Sequence, residues 1–252
     1  MPRVLAIVPA FNEAEAIAGT VRHVLEAQPD IDLVVIDDGS NDDTAARARA
    51  AGAPVLQMPF NLGIGGAVQA GYQYAREHHY DYAVQIDGDG QHDATYVTHL
   101  LAALQADPSL NMVVGSRFAD GAGHDGFKSS ASRRAGIRLF SWVLSRIVGQ
   151  PVTDPTSGLR MTDHRAIDLF AQDYPHDYPE VEAIVLMHAH RLKSAEIPVV
   201  MRARQGGTSS IGTLHAGLYM IKVLLAVSVG LMRARPTIIP GGEAAVSAER
   251  NL

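Results

Sequence analysis

The segment YAVQIDGDGQHD, residues 82–93, runs an apolar stretch directly into Asp87, Asp89 and Asp93, with Gly88, Gly90, Gln91 and His92 among them. Carboxylates so spaced repel one another and must be hydrated or paired with positive charge. Asp87 and Asp89 form an Asp-x-Asp. Such hard oxygen donors hold Mg²⁺ or Mn²⁺, ions that keep waters and are shared with substrate phosphates. A solvated turn is the plainer reading of one such pair, and other polar clusters shift the balance. DDGSNDDT at 37–44 offers Asp37 and Asp38 as hydrogen-bond acceptors for a nucleotide base and ribose, while Ser40 to Thr44 read as a helix cap. NLGIGGAVQAG at 61–71 follows the third strand-like run, not the first, so its glycines read as close helix packing and not as a dinucleotide fingerprint. Arginines gather at 133–146 and 202–204, and a basic patch near an acidic metal site suits a phosphate ligand. Neither His78-His79, at the end of an exposed helix, nor His188-x-His190, on different helical faces, reads as a metal pair. His92 reads as a donor-site neighbour and not as a ligand.

Positioning these clusters falls to alternating short apolar runs and helical patterns. Strands are expected at 4–8, 33–37, 54–58, 82–87 and 112–116, with helices over EAEAIAGTVRHVLEAQ, DTAARARAAG, GIGGAVQAGYQYAREH and ATYVTHLLAALQA between them. That order predicts βαβ units and an α/β fold with a mostly parallel sheet covered by helices on both faces. The strands read as continuous apolar runs, as expected when both sheet faces are buried. In such sheets ligands bind outside the carboxyl ends of the strands, where PAFNE, DDGS, DGDGQHD and GSRF all fall. Beyond them the pattern predicts a Gly-rich lid at 119–130, an amphipathic helix over RRAGIRLFSWVLSRIVG, a polar turn TDPTSGLR, a helix opening near Tyr178, a strand over AEIPVVMRAR and a last helix at 213–233.

The chain has 252 residues, 47% hydrophobic, no cysteine and a formal net charge of −6. One sizeable domain at 1–211, an apolar helix at 212–235 and a flexible tail at 236–252 fit that length. The acidic balance argues against nucleic acid as a partner. The absence of cysteine and of a signal-peptide pattern in MPRVLAIVPAFNE points to the cytoplasm. The last helix is short for a membrane span and carries Lys222 mid-segment. A core helix, a helix on the bilayer surface, contact with a small membrane-protein partner and burial in a homodimer are all open, and the Arg-bearing 134–148 helix favours an interfacial role.

VPAFNE, VVIDDGSNDDT, NLGIGGAVQAG, IDGDGQHD and GSRF stand in the order seen in family 2 glycosyltransferases of the GT-A fold, and TSGLR and the Arg-Gln-Gly-Gly-Thr-Ser of 204–209 extend the match. The sequence resembles the branch that makes polyprenyl-phosphate sugars, similar to dolichyl-phosphate mannose synthase. That resemblance implies a metal-dependent, inverting enzyme at the cytoplasmic face of the membrane, taking a UDP- or GDP-linked sugar to a polyprenyl phosphate. It implies that Pro9, Ala10, Phe11 and Glu13 line the nucleoside pocket, with Asp37 at the base and Asp38 at the ribose. It places Asp87, Gly88, Asp89 and Gln91 at the Mg²⁺ or Mn²⁺ and the diphosphate, with Asp89 the direct ligand. Arg204 would contact the diphosphate, and Arg117 and Arg133 would hold the acceptor phosphate. Glu180 and Glu182 open a helix where hydroxyl-glycosylating relatives carry a catalytic acid, so a glycan hydroxyl acceptor, with Glu180 as base, is the alternative. Glutamates in a first helical turn also simply complement the helix dipole.

Overall fold

The structure is a computed structural model that describes residues 2–119 and 131–202, the side chains of 131–139 excepted. The expected lid at 119–130 (apart from Ala119), Arg204, the 204–209 loop, the 213–233 helix and the tail lie outside the described residues. So does the Arg133 side chain.

Seven strands form one sheet in the order β3-β2-β1-β4-β6-β5-β7. They are β1 (Val4–Ala10), β2 (Asp32–Asp37), β3 (Val55–Gln57), β4 (Tyr82–Gln85), β5 (Leu110–Ser116), β6 (Arg160–Asp163) and β7 (Lys193–Pro198). All are mutually parallel except β6, which runs antiparallel to both β4 and β5. Six strands therefore bring their carboxyl ends to one edge, and β6 brings its beginning there. The helices are α1 (Ile17–Ala27), α2 (Thr44–Ala50), α3 (Gly63–Glu77), α4 (Val97–Ala106), α5 (Ala131–Val148), α6 (His164–Gln172) and α7 (Pro179–Ala189).

Two apolar layers sandwich the sheet. Ile17, Val21, Ala48, Val97 and Leu100 of α1, α2 and α4 cover one face. Val68, Tyr72, Leu144, Ile167, Phe170 and Ile184 of α3, α5, α6 and α7 cover the other. Each fully buried branched or aromatic side chain contributes about 1.5–3 kcal/mol relative to exposure. In the 61–71 segment Gly65 and Gly71 serve packing, as expected, whereas Gly63 takes a φ of 80° with nothing within 4 Å of its Cβ position. A Cβ on Gly71 would lie 2.2 Å from Ile7 Cγ2 of β1, and one on Gly65 would lie 2.2 Å from the Pro175 carbonyl.

Three expectations needed revision. β6 and α6 stand where a polar turn was followed directly by the Tyr178 helix, so the sheet has an antiparallel member that the apolar pattern did not show. β3 is an edge strand with Leu56 and Gln57 exposed, not a run buried on both faces. β7 begins at Lys193 and ends at Pro198, ahead of the expected 195–204 span.

Candidate functional site

The ends of β1 and β2 are lashed together by short polar contacts. Asn12, in a left-handed conformation at φ 53°, donates its N–H to Ser40 Oγ at 2.9 Å and accepts from the Asn41 N–H through Oδ1 at 2.9 Å. The Glu13 N–H donates to Thr44 Oγ1 at 2.9 Å. Asp42, not the capping-position Asp43, accepts the Thr44 N–H at 3.0 Å and also the Ala14 N–H at 3.2 Å. Although desolvation works against it, these hydrogen bonds hold the Asp42 carboxyl below its ordinary range. Pro9 and Ala10 pair with Ile36 and Asp37 across the sheet, and Phe11 stands 42% exposed beside them.

Within this frame Asp37 and Asp38 play different parts. Asp37 is fully buried, its Oδ1 takes only a long 3.4 Å contact from the Ser40 N–H, and its Oδ2 has no hydrogen-bond partner among the described residues. A buried carboxylate oxygen without a donor is costly unless a ligand supplies one. Asp38 accepts the Leu62 N–H at 2.7 Å and so pins the start of α3. Burial raises its pKa, tempered by the Leu62 and Gly63 N–H groups. The structure thus gives Asp38 an anchoring contact in addition to the ribose position expected for it.

Past β4 the chain turns tightly. Gly88 donates to the Pro9 carbonyl at 3.2 Å, and a Cβ there would stand 3.0 Å from that oxygen and 3.2 Å from Ala10 Cβ. The Cβ position at Gly88 is thus occupied by β1. Asp87 Oδ1 accepts from Gln85 Nε2 at 3.0 Å. His92, nearly fully buried, accepts the Asp87 N–H on Nδ1 at 3.0 Å, so its proton belongs on Nε2, which faces Asp87 Oδ2 at 3.6 Å. His92 therefore backs Asp87 from behind. Asp89 Oδ1 accepts the Gln91 N–H at 3.0 Å. Among the described residues no three His, Asp or Glu side chains converge as a metal cage.

Opposite this acidic loop lies TDPTSGLR, expected as a polar turn. Gly158 packs directly on Asp87: a Cβ there would lie 2.7 Å from Oδ2 and 2.9 Å from Oδ1. Arg160, 1% exposed at the start of β6, donates from Nε to the Ser157 carbonyl at 2.8 Å, and its Nη1 has no hydrogen-bond partner among the described residues. Its charge is felt by Glu180 at the start of α7. Burial raises the Glu180 pKa, the Arg160 guanidinium opposes that, and Asp87 adds to it. Glu180 keeps partial contact with solvent while protein surrounds it, hence the desolvation. Glu182, its neighbour, caps the helix by accepting the Tyr178 N–H at 3.1 Å.

Arg117 follows the last residue of β5. Its Nε and Nη2 bind the two oxygens of Asp154 at 2.7 Å each, and its backbone N–H adds a third bond to that carboxylate at 3.0 Å. Asp154 is fully buried. Arg133 lies on α5.

The two clusters, acidic and arginine-bearing, meet at one edge of a mixed α/β sheet. Residues 5–170 match the model of glycosyl transferase family 2. The chain belongs to this family. It is a glycosyltransferase, and the sheet and its helices are the GT-A arrangement. The undecaprenyl-phosphate mannosyltransferase of Micrococcus luteus is 31% identical over 233 residues, 88% of this chain and 92% of that protein. The polyprenol monophosphomannose synthase of Mycolicibacterium smegmatis is 28% identical over 231 residues, 88% of this chain and 85% of its own length. The fold is shared with glucosyl-3-phosphoglycerate synthase from Mycobacterium tuberculosis, crystallised with Mg²⁺ and uridine diphosphate. That match has a TM-score of 0.68 at 21% identity, covering 96% of this chain and 82% of the other. Among the described residues of the glycosyltransferase, no helix is long and apolar enough to cross a membrane.

Sequence reading missed Asp154, Gly158 and Arg160. The signal was present in TDPTSGLR, which carries an aspartate, a glycine and an arginine in eight residues. Nothing in the segment alone says that all three are buried.

Proposed function

We propose that this glycosyltransferase moves a sugar from a UDP- or GDP-linked donor to a polyprenyl phosphate of the undecaprenyl type, with inversion at the anomeric carbon. The observation that carries the reading is the division of the strand-end edge into an acidic half and an arginine fixed by a buried aspartate. Relatives named for undecaprenyl phosphate and polyprenol acceptors support it.

On the donor side, Asp37 Oδ2 would accept an N–H from the base, in a pocket walled by Pro9, Ala10, Phe11 and Glu13, with Asp38 beside the ribose. The donor set fits a hard divalent cation: Asp87, Asp89 and Gln91 offer oxygen atoms, and Gly158 leaves the Asp87 carboxylate its room. Mg²⁺ or Mn²⁺ held there supplies countercharge to the departing diphosphate. Arg204 would add a second positive charge, and Asp87, braced by Gln85 and His92, keeps its oxygens aimed without reorganisation.

The acceptor phosphate is already an anion near neutral pH, so no proton has to be removed. One of its oxygens forms the new bond to the anomeric carbon as the bond to the nucleoside diphosphate breaks, and Arg117 and Arg133 would hold it in line. A lipid-linked acceptor places this chemistry at the cytoplasmic surface of the membrane. The domain at 1–211 would carry the chemistry, and the 212–235 segment would meet the bilayer, a small membrane-protein partner or a second copy. A glycan hydroxyl acceptor in wall or surface polysaccharide synthesis is favoured by one observation, the raised pKa of Glu180, which suits a general base.

Arg117→Ala tests which substrate this arginine serves. With a lipid phosphate acceptor it should raise the acceptor KM while sparing nucleotide affinity. Equal loss of nucleotide binding would move Arg117 to the donor side.

A further inference from the structure

Arg117 does not lie loose on the surface. Its side chain is only 17% exposed, and Asp154 beneath it is wholly inaccessible. Asp154 receives the Arg117 Nε and Nη2 groups at 2.7 Å each, the Arg117 N–H at 3.0 Å and the Thr156 hydroxyl at 3.2 Å. Thr156 Oγ1 in turn accepts from Arg117 Nη2 at 2.9 Å. A two-pronged carboxylate grip of this kind fixes the plane of the guanidinium as well as its place.

The grip is itself braced from the far edge of the sheet. Glu196 of β7 accepts the Thr153 N–H at 2.9 Å, the Asp154 N–H at 3.2 Å and the Thr153 hydroxyl. Because Thr153 spends its proton on Glu196, the 2.6 Å contact between Thr153 and Ser116 has Ser116 as the donor. Ser116 Oγ then accepts the Phe118 and Ala119 N–H groups at 3.1 and 3.0 Å, closing the turn that carries Arg117. Backbone and side chain of Arg117 are thus set by one connected network running from β7 through the 153–156 segment to the end of β5.

We infer that Asp154 is a positioning residue for acceptor recognition, acting through Arg117 to present a preoriented guanidinium to the acceptor's phosphate. The inference rests on the reading of Arg117 as a phosphate-holding residue. A guanidinium fixed in advance loses little freedom when it meets the phosphate, so removing the carboxylate weakens acceptor binding although Asp154 touches no substrate. Its buried position also makes it unsuited to meet the acceptor itself.

The test uses the full chain loaded with Mn²⁺ and nucleoside diphosphate, titrated with farnesyl phosphate and, separately, with farnesol. Arg117→Ala, Asp154→Asn and the double variant are compared, together with Thr156→Val at an exposed position. Asp154→Asn should weaken farnesyl phosphate about tenfold or more, leave farnesol and nucleotide affinities unchanged, and add nothing once Arg117 is alanine. Thr156→Val should weaken farnesyl phosphate to a lesser degree, and serves as the reporter if Asp154→Asn does not fold. If Arg117→Ala weakens farnesyl phosphate but Asp154→Asn and Thr156→Val leave it unchanged, or their losses add to that of Arg117→Ala, the positioning role is overturned and the reading of Arg117 survives. If Arg117→Ala itself leaves farnesyl phosphate affinity unchanged, that reading fails and the inference falls with it.

Discussion

Gly158→Ala probes the contact between the TDPTSGLR segment and the acidic loop. The added methyl would stand 2.7 Å from Asp87 Oδ2, 2.9 Å from Oδ1 and 3.1 Å from Cγ. Relief requires the carboxylate to retreat by roughly 0.5 Å or to rotate, which is the tolerance within which a site must hold its groups. The obstructed atoms are the end of a side chain and not backbone, so the cost to the fold should fall at the low end of the ~1–3 kcal/mol typical of overpacking. The cost to the site should be larger. Asp87 would part from Gln85 Nε2, now at 3.0 Å, and lose its aim at the cation. Losing one charged contact is worth about 1.5–3 kcal/mol, or about 10- to 150-fold in affinity. Titration calorimetry with nucleoside diphosphate, with Mn²⁺ and with EDTA, should show that loss only when metal is present. A folded Gly158→Ala protein with unchanged Mn²⁺-dependent affinity would refute the role given to Asp87.

Asp37→Asn should weaken nucleotide binding by about tenfold or more with or without metal, because the partnerless Oδ2 loses the charge that attracts the base N–H; calorimetry reads this directly. Asp89→Ala should abolish sugar transfer and the Mn²⁺-dependent part of nucleotide affinity, and wild-type turnover in that variant would remove its metal role. Glu180 has a pKa raised by burial, so its neutral form favours the fold: the associated stability is present below the unfolded value of 4.5 and is lost as pH rises through the raised folded value. Glu180→Gln should accordingly melt close to wild type near pH 4 and above it at pH 7 and beyond, measured by thermal denaturation across pH. The same substitution should keep much of the transfer rate to a polyprenyl phosphate, whereas a hydroxyl acceptor would lose roughly 10²- to 10⁴-fold with its base.

How far the fold could be read depended on where its strands hide their side chains. β1, β2, β4 and β5 are buried apolar runs and stand out as such. β6 is Arg-Met-Thr-Asp, with Arg160 and Thr162 buried while donating to the Ser157 and Ala83 carbonyls. No hydrophobic run exists to be seen there. α6 was legible in principle: Asp163 caps it by accepting the Ala166 N–H at 3.0 Å, ahead of an apolar face through Ile167 and Phe170. Of the candidate site residues, Asp37, Asp87, Asp89 and Arg117 stood out in the sequence because charged residues at strand ends are conspicuous. Asp154 could not, since its burial arises only when β5 and β7 bring Arg117 and Glu196 to either side of it.

The central claim, a sugar passed from a nucleotide to a polyprenyl phosphate, is tested most directly by the lipid product. The full chain is incubated with undecaprenyl phosphate, Mn²⁺ and a panel of UDP- and GDP-sugars, and the extracted lipid is analysed by mass spectrometry and its anomeric configuration by NMR. The account predicts one glycosyl phosphate lipid, formed with release of nucleoside diphosphate, of inverted configuration and absent without divalent metal. Transfer to a glycan hydroxyl, with undecaprenyl phosphate left unmodified across the panel, would contradict it.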